Sequence, residues 1–175
     1  GGFFALAYST AQLLFSVGGF EIRPVQSTDI KNKFTFDQYF TSRMLNCIIM
    51  LICMIGYIVV NGYTGVEALT VFWILGYRMV EAVADVYSGL FQQRERIDIS
   101  GKEMLMRSGI STITFTIILW LTDNLLYAAM TLTLTSLVIM LFYDLHMKKY
   151  FEPTPVHLEW RGILGIYNAC WPLFV

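Results

Sequence analysis

Residues 69–93 read LTVFWILGYRMVEAVADVYSGLFQQ, and this stretch decides the fold because it places charges inside an apolar run of membrane-spanning length. At 100° per residue its polar side chains share one face of a helix, a stripe about 80° wide. The members of this polar stripe are Arg78, Glu81, Asp85, Ser88 and Gln92. Apolar residues collect on the opposite face. The pattern predicts a helix that is amphipathic within a bilayer and turns its polar stripe towards protein or water.

The composition of the whole chain also favours a bilayer. Of its 175 residues 56% are hydrophobic and 14% are charged, against roughly 25% charged in a typical soluble domain. The mean hydropathy is +0.58, and a soluble domain of this size encloses too little volume to bury so much apolar material. The net charge of −1 gives no basic excess for nucleic acid. We therefore predict an integral membrane protein and exclude disorder, a collagen-like repeat and a disulfide-rich secreted module.

The apolar runs predict an all-α, polytopic transmembrane bundle that forms a single domain over residues 1–175. Five complete spans and the start of a sixth are expected, at about 1–20, 44–60, 66–91, 107–122, 125–142 and, in part, 162–175. Because the chain begins with Gly and the sixth run is too short to cross, both ends are interpreted as internal cuts.

Basic residues alternate between the segments that connect these spans. Eleven of the twelve Lys and Arg residues lie in 21–43, 92–107 and 144–161, whereas the short turns at 61–65 and 123–124 have none. The positive-inside rule therefore places the three basic segments in the cytoplasm. Glycines in the 61–65 turn predict a tight connection, since glycine accepts a positive φ.

The charges of the polar stripe need partners, because an unpaired charge near the bilayer centre costs about 2.5–3.5 kcal/mol. Arg78 can reach Glu81 one turn away, whereas Asp85 needs another partner or a water-filled cavity. One interpretation is a pair that only pins this helix to its neighbours. The preferred interpretation is the wall of a substrate or ion pathway, because ionisable residues inside a membrane usually mark such pathways. All five stripe residues, Ser88 and Gln92 included, are then pathway candidates.

Patterns typical of enzymes and metal sites are missing from the sequence. It contains no GxSxG, HExxH or Walker motif. Cys47, Cys53 and Cys170 form no CxxC pair, and His146 and His157 have no cysteine nearby. We therefore expect no enzymatic activity, no catalytic residue, no metal site and no cofactor.

Four stretches resemble one known family. They are RPVQSTD at 23–29, FTFDQYFTSR at 34–43, YRMVEAVADVYSGLFQQRERIDISGK at 77–102 and NACWPLFV at 168–175. The chain resembles the bacterial polysaccharide transporter family, the O-antigen and capsule lipid-linked oligosaccharide flippases of the multidrug/oligosaccharidyl-lipid/polysaccharide exporter superfamily. The resemblance covers essentially the whole chain, as helices two to six and the head of helix seven. It implies an N-terminal-half fragment, roughly half of a two-bundle exporter.

The resemblance implies a multi-pass protein of the bacterial cytoplasmic membrane that works by alternating access in cell-envelope polysaccharide and lipopolysaccharide biosynthesis. Its cargo would be a polyprenyl-diphosphate-linked oligosaccharide, with membrane lipids around it and no nucleic acid. Arg78 would meet the diphosphate, as the only cation able to do so, while Glu81 and Asp85 could couple movement to a proton or cation. This half alone is not expected to transport, because alternating access needs a second bundle.

Three other classes of protein stay open. A multidrug cation antiporter of the same superfamily would also place Glu81 and Asp85 in its cavity. A membrane glycosyltransferase or polymerase would need external loops rich in Asp, His or Arg, which the short external turns disfavour. A non-transporting membrane scaffold would leave the charges inside the membrane unexplained.

Overall fold

The computed structural model describes residues 2–20, 22–29 and 31–174, and these form seven helices and no strand. The helices are α1 (Gly2–Gly19), α2 (Ile22–Thr28), α3 (Phe36–Val60), α4 (Gly65–Gln93), α5 (Ile97–Thr122), α6 (Leu125–Phe151) and α7 (Ile163–Phe174). Within α6, residues Met140–Asp144 form one turn of π-helix. The predicted all-α fold class is confirmed.

Three of these helices, α3, α5 and α6, are long and apolar enough to cross a membrane. This number is smaller than the five complete spans and partial sixth that the sequence predicted. Helices do occupy the predicted positions 1–20, 66–91 and 162–175, as α1, α4 and α7. However, every 18-residue stretch of α4 contains three charged residues, and α7 has only 12 residues. Length and apolar composition therefore single out only three helices in the described part of the chain.

The three candidate spans begin or end outside their predicted limits. The run 44–60 lies in Phe36–Val60, the run 107–122 in Ile97–Thr122, and the run 125–142 in Leu125–Phe151. Helix α3 begins early because Thr35 and Gln38 form a capping box, in which each side chain accepts a hydrogen bond from the other's backbone N–H, at 3.1 and 3.3 Å. Much of the predicted connecting segments is thus helical.

The basic segments lie together at one end of the bundle, which we call the basic end. The Gln93 amide donates to the carbonyl of Asp29 at 2.6 Å, and Arg94 forms an ion pair with Glu152 at 2.9 Å. These contacts join 21–43, 92–107 and 144–161. In the 61–65 turn, Gly62 and Gly65 have φ of +67° and +56°, as the glycine pattern predicted.

Helix α4 lies at the centre of the bundle and contacts α1, α2, α3, α5 and α6. Its buried apolar residues belong to two clusters. Val71, Ile74 and Leu75 pack with α1, α3 and α6 in one cluster. Nearer the basic end, the second cluster joins Val86, Tyr87, Leu90 and Phe91 to α2, α3, α5 and α7. The charged part of α4 lies between these two clusters.

Large apolar side chains cover the outer surfaces of α3 and α5. Ile52 is 63% exposed on α3, while Leu105 and Trp120 are 77% and 82% exposed on α5. A soluble monomer rarely leaves extended apolar surface open to water. The exposed surface therefore agrees with the candidate membrane spans.

Helix α2 packs against α4 at a glycine. The Gln26 amide donates to the carbonyl of Val86 at 3.1 Å, and a Cβ at Gly89 would lie 2.4 Å from Gln26 Oε1. We predict that Gly89→Val lowers the thermal unfolding midpoint of the detergent-purified protein, since overpacking typically costs about 1–3 kcal/mol. Gly101→Val is the matched control, because a Cβ at Gly101 meets nothing within 4 Å. Equal midpoints for the two variants would contradict this account of the α2–α4 contact.

Candidate functional site: an arginine-lined cleft

Arg78 is held by contacts on two sides. Its Nη1 donates to Glu81 Oε2 one turn along α4, as the spacing predicted, and the Tyr77 hydroxyl donates to Glu81 Oε1 at 2.8 Å. The guanidinium carbon also lies 4.4 Å from the centre of the Tyr8 ring of α1, a cation–π contact. Arg78 is therefore neutralised and oriented although it is 7% exposed.

Asp85 joins α4 to two other helices. Its Oδ1 accepts from Arg23 Nη1 of α2 at 2.7 Å, and its Oδ2 accepts from Arg43 Nη2 of α3 at 3.2 Å. The Arg43 Nη1 also donates to the carbonyl oxygens of Gly18 and Gly19, at 3.2 and 2.9 Å. Asp85 thus has the additional partners that the sequence called for, and it links the basic-end portions of α2, α3 and α4.

The other two residues of the polar stripe turn towards α5. The Ser88 hydroxyl donates to Glu103 Oε2, and the Gln92 amide donates to the Ser100 hydroxyl at 3.3 Å. Neither Ser88 nor Gln92 lines the cavities beside Asp85. The structure therefore divides the polar stripe into two parts. Arg78, Glu81 and Asp85 line a cavity, whereas Ser88 and Gln92 contact α5.

Two adjoining cavities lie beside this part of α4, and together we call them the cleft. Their volumes are about 310 and 330 Å³, and both are lined by Phe15, Arg23 and Asp85. The first is lined in addition by Arg78, Glu81, Met104, Arg107 and Ser108, and the second by Gln12, Ser16, Gly19, Ile22, Pro24 and Arg43. The cleft therefore lies between α1, α2, α4 and α5 and reaches α3 through Arg43.

Guanidinium groups outnumber carboxylates among the side chains that line the cleft. Four guanidinium groups line it with two carboxylates, those of Glu81 and Asp85. The side chains of Arg23, Glu81 and Asp85 are 19–28% exposed, so a solute can reach them. Guanidinium groups bind carboxylate and phosphate oxygens through paired hydrogen bonds. Chemically, this arrangement can bind an anion.

Sequence reasoning missed three of the four arginines. Arg23, Arg43 and Arg107 were assigned to basic connecting segments, and Arg78 was expected to be the only cation able to meet a diphosphate. The structure corrects this expectation, because α3 and α5 begin earlier than predicted and carry Arg43 and Arg107 within them. The available signal was position, since Arg43 directly precedes the predicted span 44–60 and Arg107 is the first residue of the predicted span 107–122.

Within the residues that the structure describes, no three His, Cys, Asp or Glu side chains are grouped so that they could hold a metal ion. Comparisons of the chain with protein-family models, with curated proteins and with solved structures give no match. The class of protein is therefore defined by its architecture alone. It is an all-helical chain that has three helices able to cross a membrane and an arginine-lined cleft against its central helix.

Proposed function

We propose that this chain is part of a transporter that moves polyprenyl-diphosphate-linked oligosaccharides across the bacterial cytoplasmic membrane by alternating access. The observation that carries this proposal is the excess of guanidinium groups in a cleft beside candidate membrane spans. A diphosphate offers several anionic oxygens, and arginine binds such groups in a bidentate manner. Phe15 and Met104 add apolar walls, which suit a lipid-linked cargo.

The proposed transporter includes α1 and α4 as membrane spans. This gives five complete spans with α7 as the start of a sixth, and the bundle is roughly half of a two-bundle exporter. Helix α4 can cross because its charges are compensated, with Arg78 paired to Glu81 and Asp85 paired to Arg23 and Arg43. Charges that are paired or line a wet cavity are the ones tolerated inside membranes.

The proposed orientation places the basic end in the cytoplasm. In a background without Cys47, Cys53 and Cys170, we predict that Gly62→Cys reacts with a membrane-impermeant thiol reagent added outside the cells. Lys33→Cys, at the basic end, should react only after the membrane is permeabilised. The reverse labelling pattern would contradict the orientation.

The alternative of a multidrug cation antiporter draws on Glu81 and Asp85 as cleft-lining carboxylates. Both already bind arginine, so a cationic drug would have to displace a guanidinium. An anionic cargo would likewise have to displace carboxylates, but four guanidinium groups line the cleft against two carboxylates, so the lining offers more partners to an anion than to a cation. A scaffold without transport would bind neither kind of ligand.

Binding of farnesyl diphosphate, a short polyprenyl diphosphate, tests the proposal on the purified chain in nanodiscs. We expect saturable binding that weakens about 10–100-fold in Arg23→Ala, because a hydrogen bond to a charged group contributes about 1.5–3 kcal/mol. Arg96→Ala is the control, since Arg96 lies at the basic end and pairs with the exposed Asp98. Absence of binding would overturn the proposal, and binding of tetraphenylphosphonium in place of the diphosphate would favour the antiporter.

A further inference from the structure

A second group of charges lies behind the cleft, between α5 and α6. It consists of Glu103, Arg107 and Asp144, and the side chains of both acids are 0% exposed. Arg107 Nη1 donates to Glu103 Oε1 and lies 3.5 Å from Asp144 Oδ2. One guanidinium is thus the cation partner of two fully buried carboxyl groups. When both carboxyl groups are ionised, the three side chains carry a net charge of −1.

The two acids differ in their hydrogen bonds. Glu103 accepts from Ser88 of α4 and from Arg107. Asp144 accepts none from any described residue at either oxygen. A buried carboxylate without donors is strongly disfavoured, whereas its protonated form carries no charge. Asp144 is therefore the member of the pair that takes a proton most readily.

Among the residues that the structure describes, the surroundings of Asp144 supply no second cation besides Arg107. From α4, Tyr87 faces it and Ser88 faces Glu103. On α6 itself Tyr143 is a neighbour, while Lys148 donates to the carbonyl of Thr154 instead. Arg23 and Asp85, on the cleft side, act electrostatically on Glu103. Arg107 is thus the cation that balances Asp144 among the described residues.

The position of Asp144 connects this group to a helix irregularity and to the cleft. Asp144 is the last residue of the π turn, in which the N–H of Leu145 reaches back to the carbonyl of Met140. Such turns are frequent at functional sites. Arg107, which balances Asp144, also lines the cleft. An anion bound in the cleft would therefore compete with Asp144 for the same guanidinium.

We propose that Asp144 is a proton-binding group whose protonation is linked to anion binding in the cleft through Arg107. When an anionic cargo draws the Arg107 guanidinium towards the cleft, the Asp144 carboxylate takes a proton from water and becomes a neutral carboxyl group. When the cargo leaves and Arg107 returns, the proton is released to water. The link to cargo rests on the proposed function, whereas the proton site itself does not.

Infrared spectroscopy of the purified chain tests the proton site without any transport assay. We expect a protonated-carboxyl C=O band that appears in the cargo-free chain as the pH is lowered, before exposed carboxylates take protons, and that shifts when the chain is labelled with ¹³C-carboxyl aspartate. The band should be absent in Asp144→Asn and retained in the control Asp98→Asn, whose side chain is exposed. The isotope shift requires no substitution, so it distinguishes an aspartate from Glu103 even if the variant fails to fold. A band that stays absent from the wild type throughout the pH titration, is insensitive to the label, or is retained in Asp144→Asn overturns the proton site.

Proton uptake on addition of farnesyl diphosphate tests the link to the cleft. In weakly buffered solution with a pH-sensitive dye, the wild type should take up protons as it binds, and Asp144→Asn should bind without uptake. Binding without uptake in the wild type would overturn the link. Absence of binding would overturn the proposed function and, with it, the link, while the infrared result would still decide the proton site.

Discussion

Replacing Asp85 with alanine is expected to lower the stability of the bundle by about 3–5 kcal/mol, because removing one partner of a buried ion pair leaves a charge without compensation. The side chain of Arg43 is 1% exposed, and in the described part of the chain Asp85 is its carboxylate partner. The carbonyl groups of Gly18 and Gly19 would remain as its acceptors. Arg23 would also lose its partner, but its side chain is 28% exposed and can reach water.

The buried cysteines of the chain allow this loss of stability to be measured. Cys47 and Cys170 are buried and Cys53 is exposed, so in a Cys53→Ser background a thiol-reactive dye reports thermal opening of the bundle. Asp98→Ala is the matched control, since its partner Arg96 is 47% exposed and exposed pairs contribute about 0–1 kcal/mol. If Asp85→Ala and Asp98→Ala open at the same temperature, Asp85 does not hold the helices together.

If the proposed function holds, Arg78→Ala in the intact protein is expected to reduce export of lipid-linked oligosaccharide about 10–100-fold, with protein amounts close to normal. Arg78 lies 15 residues before Gln93, about 22 Å from the basic end of α4, and it would be the anion ligand furthest along the cleft. A charge-assisted hydrogen bond contributes about 1.5–3 kcal/mol, which gives this range. Glu81 tolerates the loss because it keeps the Tyr77 hydrogen bond and is 20% exposed.

The cellular measurement is accumulation of lipid-linked oligosaccharide on the cytoplasmic leaflet in a strain whose export depends on this protein. Arg78→Lys should be intermediate, because lysine keeps the charge but not the bidentate geometry, and Arg96→Ala should export normally. Normal export by Arg78→Ala would refute a role in the pathway. If Arg78→Ala is lost from the membrane and adding Glu81→Gln restores it, the pair has only a structural role.

Short-range sequence patterns predicted those features of the fold that depend on residues close together in the sequence. Helical periodicity gave the face shared by Arg78, Glu81 and Asp85, and one-turn spacing gave the Arg78–Glu81 pair. Hydropathy located the apolar runs but not the ends of the helices, because hydrogen bonding and capping continue a helix beyond its apolar part. The capping box at Thr35 is such a case.

The cleft itself depended on information that no single segment carries. Periodicity placed Ser88 on the same face as Asp85, but the approach of α5 turns Ser88 into a partner of Glu103. Arg107 could be assigned to the cleft only once α5 was known to begin at Ile97. The π turn before Leu145 likewise has no motif in the sequence that marks it.

If α4 crosses the membrane as in the proposed transporter, its length sets the depth at which the cleft meets its surroundings. Its 29 residues extend about 43 Å, against about 30 Å for the hydrocarbon core of a bilayer. With the turn before Gly65 free of Lys and Arg and resting at the far surface, the excess of about 13 Å falls at the basic end. Asp85, eight residues before Gln93 and so about 12 Å along the axis, then lies at the edge of the hydrocarbon core on that side. The proposed lipid-linked diphosphate would thus reach Arg23 by lateral diffusion within that leaflet, from the boundary between headgroups and hydrocarbon.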